Sequence, residues 1–324
     1  MRHEDNHAVR ATDHLTRRRL LTAAGMGLGA ALLPSSLLAD PVSAAATKPV
    51  SLPGFAAFAK TITTYRKGSW YLVEIQGALP DHLMMVGITN WQQQVPIPQD
   101  YTGAMAWRMP AKPTLAAAPI STATALRRQA IAIAANGVPI FNALNNRGED
   151  SQQIGELDDW GGHCGRGDDY HYHVAPLHLQ KVVGDRSPIA YALDGYPIYG
   201  TTEPDGRPMR ALNTATNGHT WRGSFHYHGT TTYPYTCGAI VGKVTVVDDM
   251  ITPQPIPPPV RQPAEPLPGA SITLFERSGT DQFRLEYVLE AQTFQIDYRA
   301  NAKLLEMTFT APDGATRHEI YVRD

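Results

Sequence analysis

Apolar and polar residues alternate with period two over much of the chain, which is the spacing of half-buried β-strands. It predicts strands at Thr61–Arg66 and Trp70–Gln76 around a Lys67-Gly68-Ser69 turn, and another at Leu83–Ile88. The apolar runs Ala130–Ala135 and Val138–Asn142 flank Asn136-Gly137, a hairpin signal. Pro139 predicts an edge position for that hairpin, because proline has no N–H to give to a ladder. Ile189–Leu193 and Ile240–Val247 read as further strands, and Thr122–Arg128 as one short helix. Residues 253–268 hold eight prolines in sixteen positions and predict an extended connector. Behind it Ser271–Arg277, Phe283–Glu290, Phe294–Arg299, Leu305–Thr310 and His318–Arg323 alternate again, with a Pro312-Asp313-Gly314 turn between the last two. No internal repeat of fixed period is visible. The expected fold is mainly β: a loop-rich, β-sandwich-like main domain with few short helices, plus a small C-terminal β module.

The N-terminus follows a different pattern. Thr16-Arg17-Arg18-Arg19-Leu20-Leu21 precedes a mild apolar stretch to about Leu38, broken by glycines and Pro34, then the small-residue run Val42–Ala46. A charged region, a short apolar region and an Ala-x-Ala-like end make a secretory signal. The pair Arg17 and Arg18 resembles the twin-arginine (Tat) type. The stretch is too short and interrupted for a membrane span. The expected division is a signal peptide at 1–44, a main domain at 45–252, a Pro-rich linker at 253–269 and the β module at 270–324. The Tat export machinery is then the partner of the precursor, and the periplasm or the exterior the destination.

Composition narrows the classes without naming one. The 324 residues are 43% hydrophobic and 18% charged, with a formal net charge of −2. That supports a real core and gives no electrostatic footprint for nucleic acid or an anionic membrane. The two cysteines, Cys164 and Cys237, are too few for a four-cysteine zinc site. An oxidising compartment permits them to form a disulfide, which is the expectation, with Cys164 as a soft metal ligand the alternative.

Candidate chemistry gathers where the histidines do. Seven of the twelve lie between residues 163 and 228. Tyr170-His171-Tyr172-His173 is followed 55 residues later by Phe225-His226-Tyr227-His228. On a strand, positions i and i+2 share a face, so His171 projects with His173 and His226 with His228, the tyrosines pointing oppositely. Neighbouring strands would bring these four imidazoles, with His163 nearby, to one site suited to Cu, Zn, Fe or Mn. Asp169 and Asp194 are candidate acid–base groups, although Asp194-Gly195 is also a turn signal.

The words Gly161-Gly162-His163-Cys164-Gly165-Arg166-Gly167-Asp168-Asp169 with Tyr170–His173, Ala192–Gly200 and His226–His228 resemble the YHYH-domain family, named for the tetrapeptide at 170–173. The resemblance runs from about Val86 to Val247, with Phe225 where the family often has tyrosine. It implies an exported bacterial or extracellular protein and brings no assigned activity with it. Three functions stay open: a periplasmic metal-binding protein or metalloenzyme, a non-catalytic envelope-binding or structural module, and a metal-free hydrolase or carbohydrate-active protein.

Overall fold

The computed structural model describes residues 48–323. The expected signal, with Arg17 and Arg18, lies outside the described residues. Strand formation follows the period-two pattern. Lys48–Pro49 (β1), Ile62–Lys67 (β2), Trp70–Ile75 (β3) and Trp107–Pro110 (β5) form a four-stranded antiparallel sheet. Asn90–Trp91 (β4) pairs with Leu267–Pro268 (β18), Leu115–Ser121 (β6) with Ala239–Gly242 (β15), and Thr245–Val247 (β16) with Met250–Thr252 (β17). Ser271–Ser278 (β19), Gln282–Leu289 (β20), Gln292–Ala300 (β21), Leu304–Thr310 (β22) and Thr316–Val322 (β23) make a five-stranded antiparallel meander. The single α-helix among the described residues is the one-turn Gln180–Val183 (α1). None there is long and apolar enough to cross a membrane.

The central sheet has eight strands. They are Ala130–Ala134 (β7), Pro139–Phe141 (β8), Gly162–Cys164 (β9), Tyr170–Tyr172 (β10), Ala190–Ala192 (β11), Pro197–Tyr199 (β12), Gly218–Trp221 (β13) and Ser224–His228 (β14). Their order is β13-β14-β12-β11-β7-β8-β10-β9. That order is a palindrome of roles. The hairpins β7–β8 and β11–β12 meet at the middle, and each has an antiparallel histidine-bearing pair outside it, joined to it by a parallel contact.

Two copies of one folding unit produce this symmetry. Asn136-Gly137-Val138-Pro139-Ile140-Phe141 in the first copy matches Asp194-Gly195-Tyr196-Pro197-Ile198-Tyr199 in the second. At the seam Ile133 faces Tyr191, and the Ala135 N–H to Ile189 carbonyl bond of 2.8 Å is mirrored by Leu193 to Ile131 at 2.9 Å. The seam is lined by the buried alanines Ala132, Ala134, Ala190 and Ala192. Gly137 and Gly195 both take positive φ, near +86° and +90°, and an added Cβ would meet the Ile75 side chain or the Pro110 carbonyl. The repeat has no fixed period, as the sequence pattern suggests, yet it is present in the fold. The matching residues lie 58 apart in the hairpins and 55 apart in the His-Tyr-His strands, so loop-length differences erase any fixed period.

Three local expectations also change. Leu83–Ile88 is a loop that buries Met84, Met85 and Ile88, because the Met85 N–H bonds to the Asp158 carboxylate at 2.7 Å and Met85 has φ of 68°. Thr122–Arg128 is a run of turns: Leu126 has φ of 63°, and its N–H bonds to Asp249 Oδ1 at 2.6 Å. β8 is an interior strand, since Pro139 is its first residue and no ladder bond is needed from it.

The proline-rich segment is pinned to its surroundings. Arg261 within it forms a bidentate pair with the buried Asp168, at 2.8 and 2.9 Å. In the meander, Tyr298 donates to the Pro96 carbonyl at 2.7 Å, and Ile272, Phe275, Leu285 and Ile296 join the same apolar core as the central sheet.

Candidate metal centres

Each end of the central sheet gathers one histidine cluster. In the first, β9 and β10 pair so that His163 faces His171, and His173 follows two positions on. In the second, β13 and β14 pair so that His219 faces His226, and His228 follows two positions on. The period of two sends the imidazoles to one face and the tyrosines to the other. Tyr172 hydroxyl accepts from Asn136 Nδ2 at 3.1 Å, and Tyr227 hydroxyl donates to Asp194 Oδ2 at 2.6 Å, so each tyrosine locks onto the turn of its own copy.

The expected single site of His171, His173, His226 and His228 is not what forms. β10 and β14 are separated by β8, β7, β11 and β12, which is five strand spacings of about 4.8 Å. The two His-Tyr-His strands are equivalent members of two copies, and the symmetry puts them at opposite ends.

At the first site, Nε2 of His173 lies 3.0 Å from Nε2 of His163 and 3.2 Å from Nε2 of His171. His171 Nδ1 reaches the Asp169 carbonyl at 3.0 Å and His173 Nδ1 the Asn142 carbonyl at 2.5 Å. A carbonyl only accepts, so both Nδ1 atoms carry the proton and both Nε2 atoms are bare lone pairs in the neutral rings. Bare lone pairs 3.2 Å apart repel. Burial and the neighbouring imidazoles bring His173 down to about 3 and hold His163 well below the ordinary histidine value, so these two rings are neutral near neutral pH. Four-coordinate zinc with bonds of 2.0–2.1 Å holds neighbouring ligand atoms about 3.3 Å apart, close to what is seen.

The second site has the same build and one more ligand. His226 Nε2 lies 3.0 Å from Nε2 of both His219 and His228. His228 Nδ1 donates to the Gly200 carbonyl at 2.8 Å and His219 Nδ1 to the Ala211 carbonyl at 3.2 Å. Glu203 Oε2 lies 3.1, 3.2 and 3.8 Å from Nε2 of His226, His219 and His228. Its other oxygen accepts from the Arg210 N–H at 2.9 Å. Burial pushes the Glu203 carboxyl up, but the Arg210 N–H and the imidazoles outweigh it, and the net direction is down. Burial with His228 and His219 lowers His226 to about 4. In each group every residue offers a ligand atom within 4.8 Å of the others.

The remaining candidates have structural positions. Asp169 Oδ1 accepts from the Gly167 N–H at 3.2 Å, and its backbone carbonyl orients His171. Asp194 is fully buried and accepts from Tyr227, Tyr196 N–H at 3.1 Å and Gly242 N–H at 2.9 Å. The two belong to opposite copies. Cys164 and Cys237 are both buried and free, correcting the expected disulfide. Cys164 lies on the edge strand of the first copy, with its thiol 3.6 Å from Met85 Sδ. Cys237 leads into β15, its carbonyl taken by Thr122 at 2.9 Å.

Sequence reasoning missed His219 and Glu203 as ligands. Aligning the two copies would have found His219, which precedes His226 by seven residues as His163 precedes His171 by eight. Glu203 gives no such signal, because the first copy has Asn145 in its place.

Because Tyr227 links Asp194 to the Val241 N–H at 2.8 Å, Tyr227→Phe strips a partner from a buried carboxylate. The expected cost is about 1–3 kcal/mol, read as a lower Tm in calorimetry, with metal content unchanged. Loss of metal from this variant would place the tyrosine inside the coordination sphere.

A mainly β protein with paired histidine clusters is thus the class that fold and site define. A family model described as YHYH protein matches residues 106–208, which supports membership of that family over this part of the chain. The matched segment holds the first cluster and Glu203 and ends before His219, His226 and His228. No curated protein and no solved structure matches the chain.

Proposed function

We propose that this chain is an exported YHYH protein that binds two transition-metal ions, one at each end of its central sheet. The convergence of proton-free Nε2 atoms of His171 and His173, each fixed by a carbonyl behind it, carries the reading. Orientation of imidazole ligands through their second nitrogen is the usual support of a metal site. Histidine-only donors suit Zn or Cu, and the added carboxylate of Glu203 extends the choice at the second site toward Fe or Mn. Export by the Tat route, through Arg17 and Arg18, fits a protein that acquires its metal while folded in the cytoplasm.

Elemental analysis of protein taken from its native compartment tests this. Two equivalents of metal per chain are expected, with a Tm that falls on treatment with a strong chelator. Metal-free protein whose Tm ignores both chelator and added Zn, Cu, Fe or Mn would leave the clusters as structural cores.

A further inference from the structure

The two copies differ at one decisive position. Asn145 and Glu203 occupy the same place in the same turn. The Asn145 N–H bonds to the Glu149 carbonyl and the Gly148 N–H to the Asn145 carbonyl, at 2.8 and 2.9 Å. The Glu203 N–H bonds to the Arg207 carbonyl and the Gly206 N–H to the Glu203 carbonyl, both at 2.8 Å. Glu203 extends from this turn to the imidazoles. Asn145 is shorter and spends its amide on its own loop, Oδ1 accepting from the Arg147 and Glu149 N–H groups at 2.9 and 3.1 Å. The nearby buried Glu156 does not substitute, because its carboxylate is taken by Arg147 at 2.6 Å and by Asn145 at 3.3 Å. The second site thus has four protein ligands and the first has three.

We propose that the His163–His171–His173 site is the open, reactive centre, taking water or a small anion as fourth ligand, and that the Glu203–His219–His226–His228 site is closed and structural. This rests on the metal-binding reading above. Three protein ligands with one free position is the pattern of catalytic zinc, and four ligands that of structural zinc. Charge points the same way. Three neutral imidazoles leave a divalent ion's charge uncancelled among buried groups, which strongly favours an anion or a bound hydroxide. At the second site Glu203 already removes one unit of it. His163 keeps part of its surface exposed, as His219 does at the second site, so the difference between the sites rests on the ligand count.

Cobalt(II) substitution with azide as the anionic probe tests the assignment. Two cobalt ions per chain are expected, with azide changing the visible absorption of one of them. His163→Ala should remove the azide-sensitive half of the spectrum, and His228→Ala should retain it. Asn145→Glu should keep both ions and lose the azide response, and Glu203→Gln should double it. Two bound cobalt ions with no azide response would overturn the open-site proposal alone. So would a response that survives His163→Ala and disappears in His228→Ala. Failure to bind cobalt at all would overturn the metal-binding reading and this proposal with it.

Discussion

Replacing His171 with alanine should halve the bound metal, from two equivalents to one, and His228→Ala should do the same by emptying the other end. The two sites share no ligand and lie four intervening strands apart, so their losses should add. The double variant should bind none. A metal that binds only the folded state contributes about 4 kcal/mol when present at a thousandfold over its dissociation constant. Each single variant should therefore lose roughly that much of the chelator-sensitive stability, and the double variant all of it. Isothermal titration with zinc, combined with melting curves with and without chelator, reads both quantities. Loss of both equivalents in His171→Ala would show that the ends are coupled.

Acid should unfold the metal-free protein well before it unfolds an ordinary β domain. Burial is the first cause of the lowered values of His82, His163, His173, His178, His226 and His228. His173 titrates near 3 in the fold, and His82, His178 and His226 near 4. The unfolded chain takes up protons on them near 6.5, so between 6.5 and about 4 it binds more protons than the folded state. Stability is then complete above 6.5 and falls as pH drops toward 4, and further for His173 toward 3. Three buried carboxylates work in the opposite sense. Burial raises Asp158 to about 6 and moves Asp168 and Asp194 upward too, so they favour the fold as it protonates. Six imidazoles outnumber three carboxylates, so the net proton uptake belongs to the unfolded chain and acid destabilises the fold. Chelator-treated protein should show a much lower urea midpoint at pH 5 than at pH 7, and excess zinc should move the acid transition downward by competing for the imidazoles. Equal midpoints at the two pH values would contradict the buried, neutral state of these rings.

Much of this was legible in the sequence where local rules decide. The five meander strands, β2, β3 and the Asn136-Gly137 hairpin lie within a few residues of where alternation and turn residues put them. The His-x-His words gave the shared face of each pair, which the strands reproduce. Pairing partners between distant segments were not legible. Neighbouring His-Tyr-His strands were the natural guess from two identical words, whereas the self-pairing of β7 with β11 puts them far apart. Leu126 and Met85 show a second limit, since both take positive φ to satisfy a distant carboxylate, and no local pattern announces that. Glu203 shows a third: one acidic side chain in a polar turn looks like any solvated charge until the fold sets it against three imidazoles.

The clamp between Arg261 and Asp168 gives the first site a place in time as well as in space. Asp168 sits two residues before β10, holds the Val95 N–H at 3.0 Å and is almost wholly buried. An acidic group so placed costs several kcal/mol without its cation. Its cation is 93 residues further along the chain. At roughly 5–20 residues per second of synthesis, the ribosome delivers Arg261 some 5–20 s after Asp168. Burying Asp168 before Arg261 exists would leave the carboxylate without its cation, so the loop leading into His171 is expected to reach its packed form only once the proline-rich segment has been made.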